Sequence, residues 1–144
     1  WSRQFQLLES IREKGMMIVM LAHASVKPVK NPSSDSYDRF SPLVHEKIIH
    51  TIHAWADMTL FIHRKPLLKK EGMKSKAIGL TDLQIVCNDQ PFCEAKNRSK
   101  LPDFIDIPDD APASVFGAWR AAMIEARKAN EAANKPPEQP VTAA

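Results

Sequence analysis

Glycine is scarce: Gly15, Gly72, Gly79 and Gly117 are the only four in 144 residues. The chain therefore has no Gly-x-x-x-x-Gly-Lys-Ser/Thr loop, whose backbone N–H groups cradle phosphates, and no apolar strand ending in a magnesium-binding aspartate accompanies one. Without these, the sequence does not hold a complete phosphate-transfer site. The two cysteines, Cys87 and Cys93, have neither the number nor the spacing of a disulfide framework or a zinc site, so reduced thiols are expected. No apolar run approaches the roughly 18 to 20 residues of a membrane span, and no signal peptide precedes the first expected strand. No membrane partner is expected, and a cytoplasmic setting is the default. A strong charge of one sign is missing too: 20 Lys+Arg against 17 Asp+Glu leave +3, which permits nucleic-acid contact without requiring it.

What is present starts with 44% hydrophobic and 26% charged residues, enough for one domain with a real core. Trp1, Phe5, Leu8 and Ile11 recur at helical spacing, so Trp1–Lys14 reads as an amphipathic helix that Gly15 ends. Six consecutive apolar residues follow, Met16 to Leu21, the pattern of a strand buried on both faces of a parallel sheet. In open α/β sheets ligands sit at the carboxyl ends of strands, which makes His23 a site candidate. A helix feeding such a strand is half of a βαβ unit, whose earlier strand is expected before Trp1.

From Val26 to Pro42 the periodicity vanishes into prolines, serines and charges, and a long irregular loop is expected. Its Lys27, Lys30, Tyr37 and Arg39 suit a phosphate backbone and a stacked base, though a solvated loop fits the composition equally. Leu43–Asp57 reads as a helix with Leu43, Val44, Ile48, Ile52 and Trp55 or Ala56 on its buried side. Its other face carries Glu46, His50, His53 and Asp57; a polar solvent face is the expectation, with a metal site as the alternative reading. Short strands at Met58–His63, Leu83–Cys87 and Phe92–Ala95 point to an antiparallel or mixed sheet edge, with the basic turn Lys69–Lys76 between the first two. An acidic connection, Asp103–Asp110, leads to a second helix from about Ala113. Its expected apolar stripe is Val115, Phe116, Trp119 and Met123, with Asp109 and Asp110 before its positive end. The proline-rich tail lacks the apolar content to order itself.

Two stretches carry a resemblance. Lys14–Lys65 runs Lys-Gly, an apolar run, Ala-His, then Tyr-Asp-Arg-Phe, Leu-Val-His-Glu-Lys and Trp-Ala-Asp before an apolar strand. Pro91–Pro102 reads Pro-Phe-Cys-Glu-Ala-Lys-Asn-Arg-Ser-Lys-Leu-Pro. In this order and spacing they resemble the AAA-type phage nucleotide-binding proteins, RecA-like ATPases of single-strand annealing and recombination. Ser99-Lys100 stands where that family commonly has an aromatic-glycine pair.

The resemblance implies an α/β fold: part of a RecA-like (P-loop NTPase) core, a mixed sheet with a parallel central strand and an antiparallel edge, and flanking helices. Residues 1–110 would be the C-terminal half of that core, 111–134 a C-terminal helix and 135–144 a disordered tail. It implies that His23 senses the γ-phosphate and that Lys27, Lys30, Tyr37 and Arg39 contact single-stranded DNA. Lys96 and Arg98 would reach the nucleotide of a neighbouring subunit in a homo-oligomer, and Asp57 would fix a helix-to-strand corner. ATP and magnesium are the implied cofactors, held mainly by segments outside this sequence. Two alternatives stay open: a nucleic-acid-binding module that no longer hydrolyses ATP, and a metal-dependent hydrolase built on Glu46, His50, His53 and Asp57.

Overall fold

Trp1 opens helix α1 (Ser2–Glu13), which ends where Gly15 takes φ +80°. That left-handed turn brings the Gly15 N–H to the Arg12 carbonyl at 2.9 Å, at no steric cost to a residue without a Cβ. The structure, a computed structural model, describes residues 1–30, 35–71, 74–107 and 114–133; at 67–71, 74–78 and 80 it describes the backbone alone. The Asp109–Asp110 pair, the tail and the tip of the basic turn at Gly72 and Met73 lie outside the described residues.

Among the described residues the fold is mixed α/β, with three helices and small sheets whose strand ladders are all antiparallel. Two compact units form, one of Trp1–Ala56 with Pro91–Glu94, the other of Asp57–Gln90 with Ala95–Ala144.

In the first unit α1 packs on α2 (Glu46–Trp55) through Phe5 and Trp55, whose rings lie 5.5 Å apart edge to face. The Trp55 indole N–H donates to Glu9 at 3.0 Å. The His45 ring caps α2 by accepting from the Lys47 N–H, and Ile48 is buried beneath it. The expected α1 and the apolar side of α2 are thus present, apart from Leu43, which is 62% exposed.

Met16–Leu21 is not a strand. Residues 16–23 adopt no regular structure, and Leu21 is 93% and Val19 66% exposed. Six apolar residues make an interior strand only if neighbours on both sides complete its ladder and helices cover its faces. No described strand lies beside them. The parallel central strand is therefore not seen, and His23 stands exposed before a strand rather than at the end of one. The region expected to be loop holds the regular structure instead: β1 (Ala24–Val29) and β2 (Tyr37–Pro42) form an antiparallel hairpin.

The second unit is built on β3 (Met58–Thr59), β4 (Phe61–Glu71), β5 (Lys74–Val86), β6 (Lys96–Asn97), β7 (Phe104–Ile107) and α3 (Val115–Ala133). Three strands pair in the order β4-β5-β7, and β3 pairs with β6. The antiparallel edge expected after Met58 is present. β7 is an addition, lying in what read as an acidic connection: Phe104 and Asp106 are exposed while Ile105 and Ile107 turn inward, an alternation of period two. Asp106 accepts from Gln84 of β5 at 2.6 Å and from Lys65 of β4 at 3.2 Å, tying the three strands across one face.

Ile85, Cys87, Leu101 and Ile107 form the core, covered by Val115, Ala118, Trp119, Ala122, Met123 and Ala126 of α3 at three- and four-residue spacing. Phe116, expected in that stripe, is 53% exposed. α3 begins on Ser114, whose hydroxyl accepts from the Gly117 N–H at 3.0 Å, so the C-terminal helix belongs to this unit's core.

Cys87 is completely buried, and burial, aided by the charge of Asp103, pushes its thiol from 9.0 up to about 11. An unfolded chain loses that proton near 9.0, the folded one near 11, so the stabilising effect is whole below pH 9 and lost as pH rises towards 11. Urea midpoints followed across this window should fall more steeply for the native protein than for Cys87→Ala, by about one proton per molecule. Parallel curves would contradict the burial of this thiol.

Candidate functional site

Alternation along the hairpin sorts its polar residues by face. Lys27, Val29, Tyr37 and Arg39 are half-buried, while Val26, Pro28, Asp38 and Phe40 are exposed. Lys27 stands directly opposite Arg39 and Val29 opposite Tyr37, so Lys27, Tyr37 and Arg39 share one side of the ribbon. Three of the residues expected to contact nucleic acid are thereby gathered. Lys30, the fourth, is exposed one position past the end of β1.

Two like charges directly opposite repel, and a partner for one of them relieves the strain. Arg39 has such a partner: its Nη2 donates to the Cys93 carbonyl at 2.9 Å. Cys93 lies in the strap Pro91–Glu94, which runs beside β2. The Phe40 N–H donates to the Phe92 carbonyl at 2.8 Å, the Glu94 N–H to the Phe40 carbonyl at 2.9 Å, and the buried Ser41 hydroxyl to Glu94 Oε2 at 2.7 Å. The strand expected over Phe92–Ala95 is reduced to a single parallel bridge, Phe40 to Cys93. Reasoning from sequence missed Ser41 and Glu94, because a serine and a glutamate 53 residues apart carry no local signal of pairing.

His23 lies in this unit too, and its carbonyl accepts from the Leu43 N–H at 2.6 Å, closing the base of the hairpin. Its backbone is structural and its imidazole is at the surface. Glu46, His50 and His53 ride on α2, whereas Asp57 belongs to the second unit, where it pairs with Arg98. Among the described residues no three His, Cys, Asp or Glu side chains come together to hold a metal ion.

In the second unit Lys96 pairs with Thr59 on β6, and Arg98 follows two residues on. Arg98 is fixed twice to Asp57: Nη1 donates to the carboxylate at 3.1 Å and the backbone N–H to the carbonyl at 3.2 Å. Asp57, the residue before β3, is thus tied to the residue after β6. Both side chains are more than half exposed, 53% for Arg98 and 61% for Asp57. Such a pair contributes roughly 0 to 1 kcal/mol and exchanges readily for a stronger anion. Partial desolvation and then the charge of Arg98 lower the Lys96 pKa, while Asp57 works against the shift.

The turn after Arg98 is held by a residue with no assigned role in the sequence. The Asn97 side chain accepts from the Ser99 N–H at 2.7 Å and donates to the Leu101 carbonyl at 3.1 Å. This turn sets Leu101 into the core, and Lys100 adopts φ 55° to make it. That is the left-handed region where glycine sits freely and a side chain is strained.

Comparison with protein-family models, with curated proteins and with solved structures finds no match. Among the described residues no helix is long and apolar enough to cross a membrane.

Relief of the left-handed strain is measurable. Lys100→Gly should stabilise the protein by about 1 kcal/mol in urea unfolding, since a side chain in this region costs roughly that much. A loss of stability would show that the turn does not need the left-handed backbone.

Proposed function

We propose that this chain is part of a RecA-like, phage-type ATPase that works on single-stranded DNA in recombination or annealing, and that the β1–β2 hairpin is its strand-contacting element. The observation that carries the reading is the shared ribbon face of Lys27, Tyr37 and Arg39. Two cations beside one aromatic ring are what a single strand needs, charge for its phosphates and a flat face for a base. Lys30, one position past β1 at the turn end of the hairpin, extends the basic track. Arg39, tied to the strap, orients the ribbon as well as adding charge.

The ATPase side of the proposal rests on the resemblance and on Lys96 and Arg98. When ATP is bound at the boundary with a neighbouring copy, it supplies the phosphoryl group whose transfer develops negative charge. Arg98, released from Asp57 at small cost, and Lys96 are cations of the right kind to stabilise that charge. The described residues fit that one role. They offer no cradle for the other phosphates and no carboxylate group for magnesium, so no further step is assigned to them.

The hold of Asp57 on Arg98 favours a second reading, a nucleic-acid-binding module that hydrolyses nothing. Two measurements separate the possibilities. Lys27→Gln with Lys30→Gln and Tyr37→Leu should weaken oligo-dT binding about tenfold or more and flatten its salt dependence by about 1 to 2 in the log–log slope. Unchanged affinity and slope would move strand binding off the hairpin. In the ATP-hydrolysing protein, Arg98→Ala should depress turnover by about a thousandfold while sparing nucleotide binding, as loss of a cation supplied in trans does. Unaltered turnover with intact DNA binding would leave the non-hydrolysing module.

A further inference from the structure

The first unit contains a groove that neither the hairpin nor the strap uses. It runs between α1 and α2, lined by Trp1, Phe5 and Trp55, by the buried Ile48, and by His45 and Lys47 at the start of α2. Its volume is about 460 Å³, in the range of pockets that take small organic ligands, and like them it sets a few polar groups among aromatic and aliphatic ones. The aromatic wall is held from behind: the Trp55 indole N–H donates to Glu9 at 3.0 Å, Glu9 accepts from Arg12 Nε at 3.0 Å, and the Phe5 ring meets Trp55 edge to face. With its one donor committed, Trp55 has only ring surface to offer a ligand. Trp1, 6.5 Å from Phe5, is 71% exposed, a second indole left in water.

The polar end of the groove is cationic. Lys47 lines it, while the acids Glu9 and Glu46 do not. His45 Nδ1 accepts from the Lys47 N–H at 3.2 Å, which leaves the ring proton on Nε2 as a second donor. Both residues stand at the N-terminal end of α2, a helix of 10 residues, where the macrodipole adds positive potential. Lys47 repels a cationic ligand, and a plain hydrocarbon leaves these donors without an acceptor. A flat ring system carrying an anionic group meets both ends of the groove, stacking on the indoles and accepting from the lysine.

We infer that this groove binds a free nucleoside monophosphate, its base stacked on Trp1 and Trp55 and its phosphate on Lys47 and His45. The volume suits a base with its sugar and phosphate better than a single aromatic ring. One lysine matches one phosphate group, whereas a strand calls for a basic track such as Lys27, Lys30 and Arg39 make on the hairpin. The groove and the hairpin are independent sites, and neither needs Arg98.

The test follows tryptophan emission of the full chain titrated with AMP, adenosine, inorganic phosphate and oligo-dT. AMP should quench saturably, adenosine should need about tenfold more ligand, and phosphate alone should not quench. Trp1→Leu, read on the remaining indoles, should weaken AMP binding about tenfold through lost stacking. Lys47→Gln should weaken it about tenfold and erase the advantage of AMP over adenosine. Both side chains are exposed, so these variants keep the fold. Arg98→Ala, and the variant of Lys27, Lys30 and Tyr37, should each leave AMP affinity within about twofold, which tells this groove from a nucleotide site at a subunit boundary and from the hairpin. Absence of quenching by AMP, equal affinity for AMP and adenosine, or loss of AMP binding in Arg98→Ala overturns the proposal. So does oligo-dT binding that is tighter than that of AMP and is abolished by Trp1→Leu, since the groove would then belong to a strand.

Discussion

Hydrogen bonds between β2 and the strap Pro91–Glu94 carry the hairpin. A two-stranded ribbon alone is marginally stable in water, and β1–β2 gains its third partner from residues about fifty positions later in the chain. The strap satisfies both backbone groups of Phe40, takes the guanidinium of Arg39 on the Cys93 carbonyl and accepts the buried hydroxyl of Ser41 on Glu94. Leaving the buried Ser41 hydroxyl unmet would cost about 1 to 3 kcal/mol, more than a surface contact returns. The face bearing Lys27 and Tyr37 therefore depends on this attachment for its shape. Arg39 serves both sides, as an anchor and as part of the basic track.

The same short stretch of sequence continues into the second unit. Pro91–Glu94 braces the hairpin, and the residues that follow put Lys96 on β6, Arg98 on Asp57 and Leu101 in the core. Asn97 and the left-handed Lys100 make the turn that allows this. The exposed Asp57–Arg98 pair is a weak one, contributing roughly 0 to 1 kcal/mol.

How much of this was legible in the residues alone differs by element. Helical spacing found α1, α2 and α3, and Gly15 marked a helix end correctly, because these features are local. Met16–Leu21 misled, since an apolar run signals an interior strand only where its neighbours exist to pair with it. The hairpin was hidden behind prolines and serines. Its alternation puts Lys27, Tyr37 and Arg39 on the half-buried side and Val26 and Phe40 on the exposed one, against the rule that polar residues are the more exposed. The strap accounts for Arg39, whose guanidinium donates to the Cys93 carbonyl. β7 was masked by its two aspartates, although Phe-Ile-Asp-Ile does alternate. The shared face of Lys27, Tyr37 and Arg39, the ion pair that holds Arg98, the cap on Ser114 and the strap contacts of Ser41 and Glu94 are tertiary facts with no one-dimensional signature.

Hydrogen exchange of the intact protein with and without oligo-dT tests most directly whether the strap-braced hairpin is where single-stranded DNA binds. Amides of Ala24–Val29 and Tyr37–Pro42, together with those of Phe92 and Glu94, should exchange more slowly when the oligonucleotide is bound. Exchange at the hairpin and strap that is indifferent to oligo-dT, with slowing confined to other segments, would contradict it.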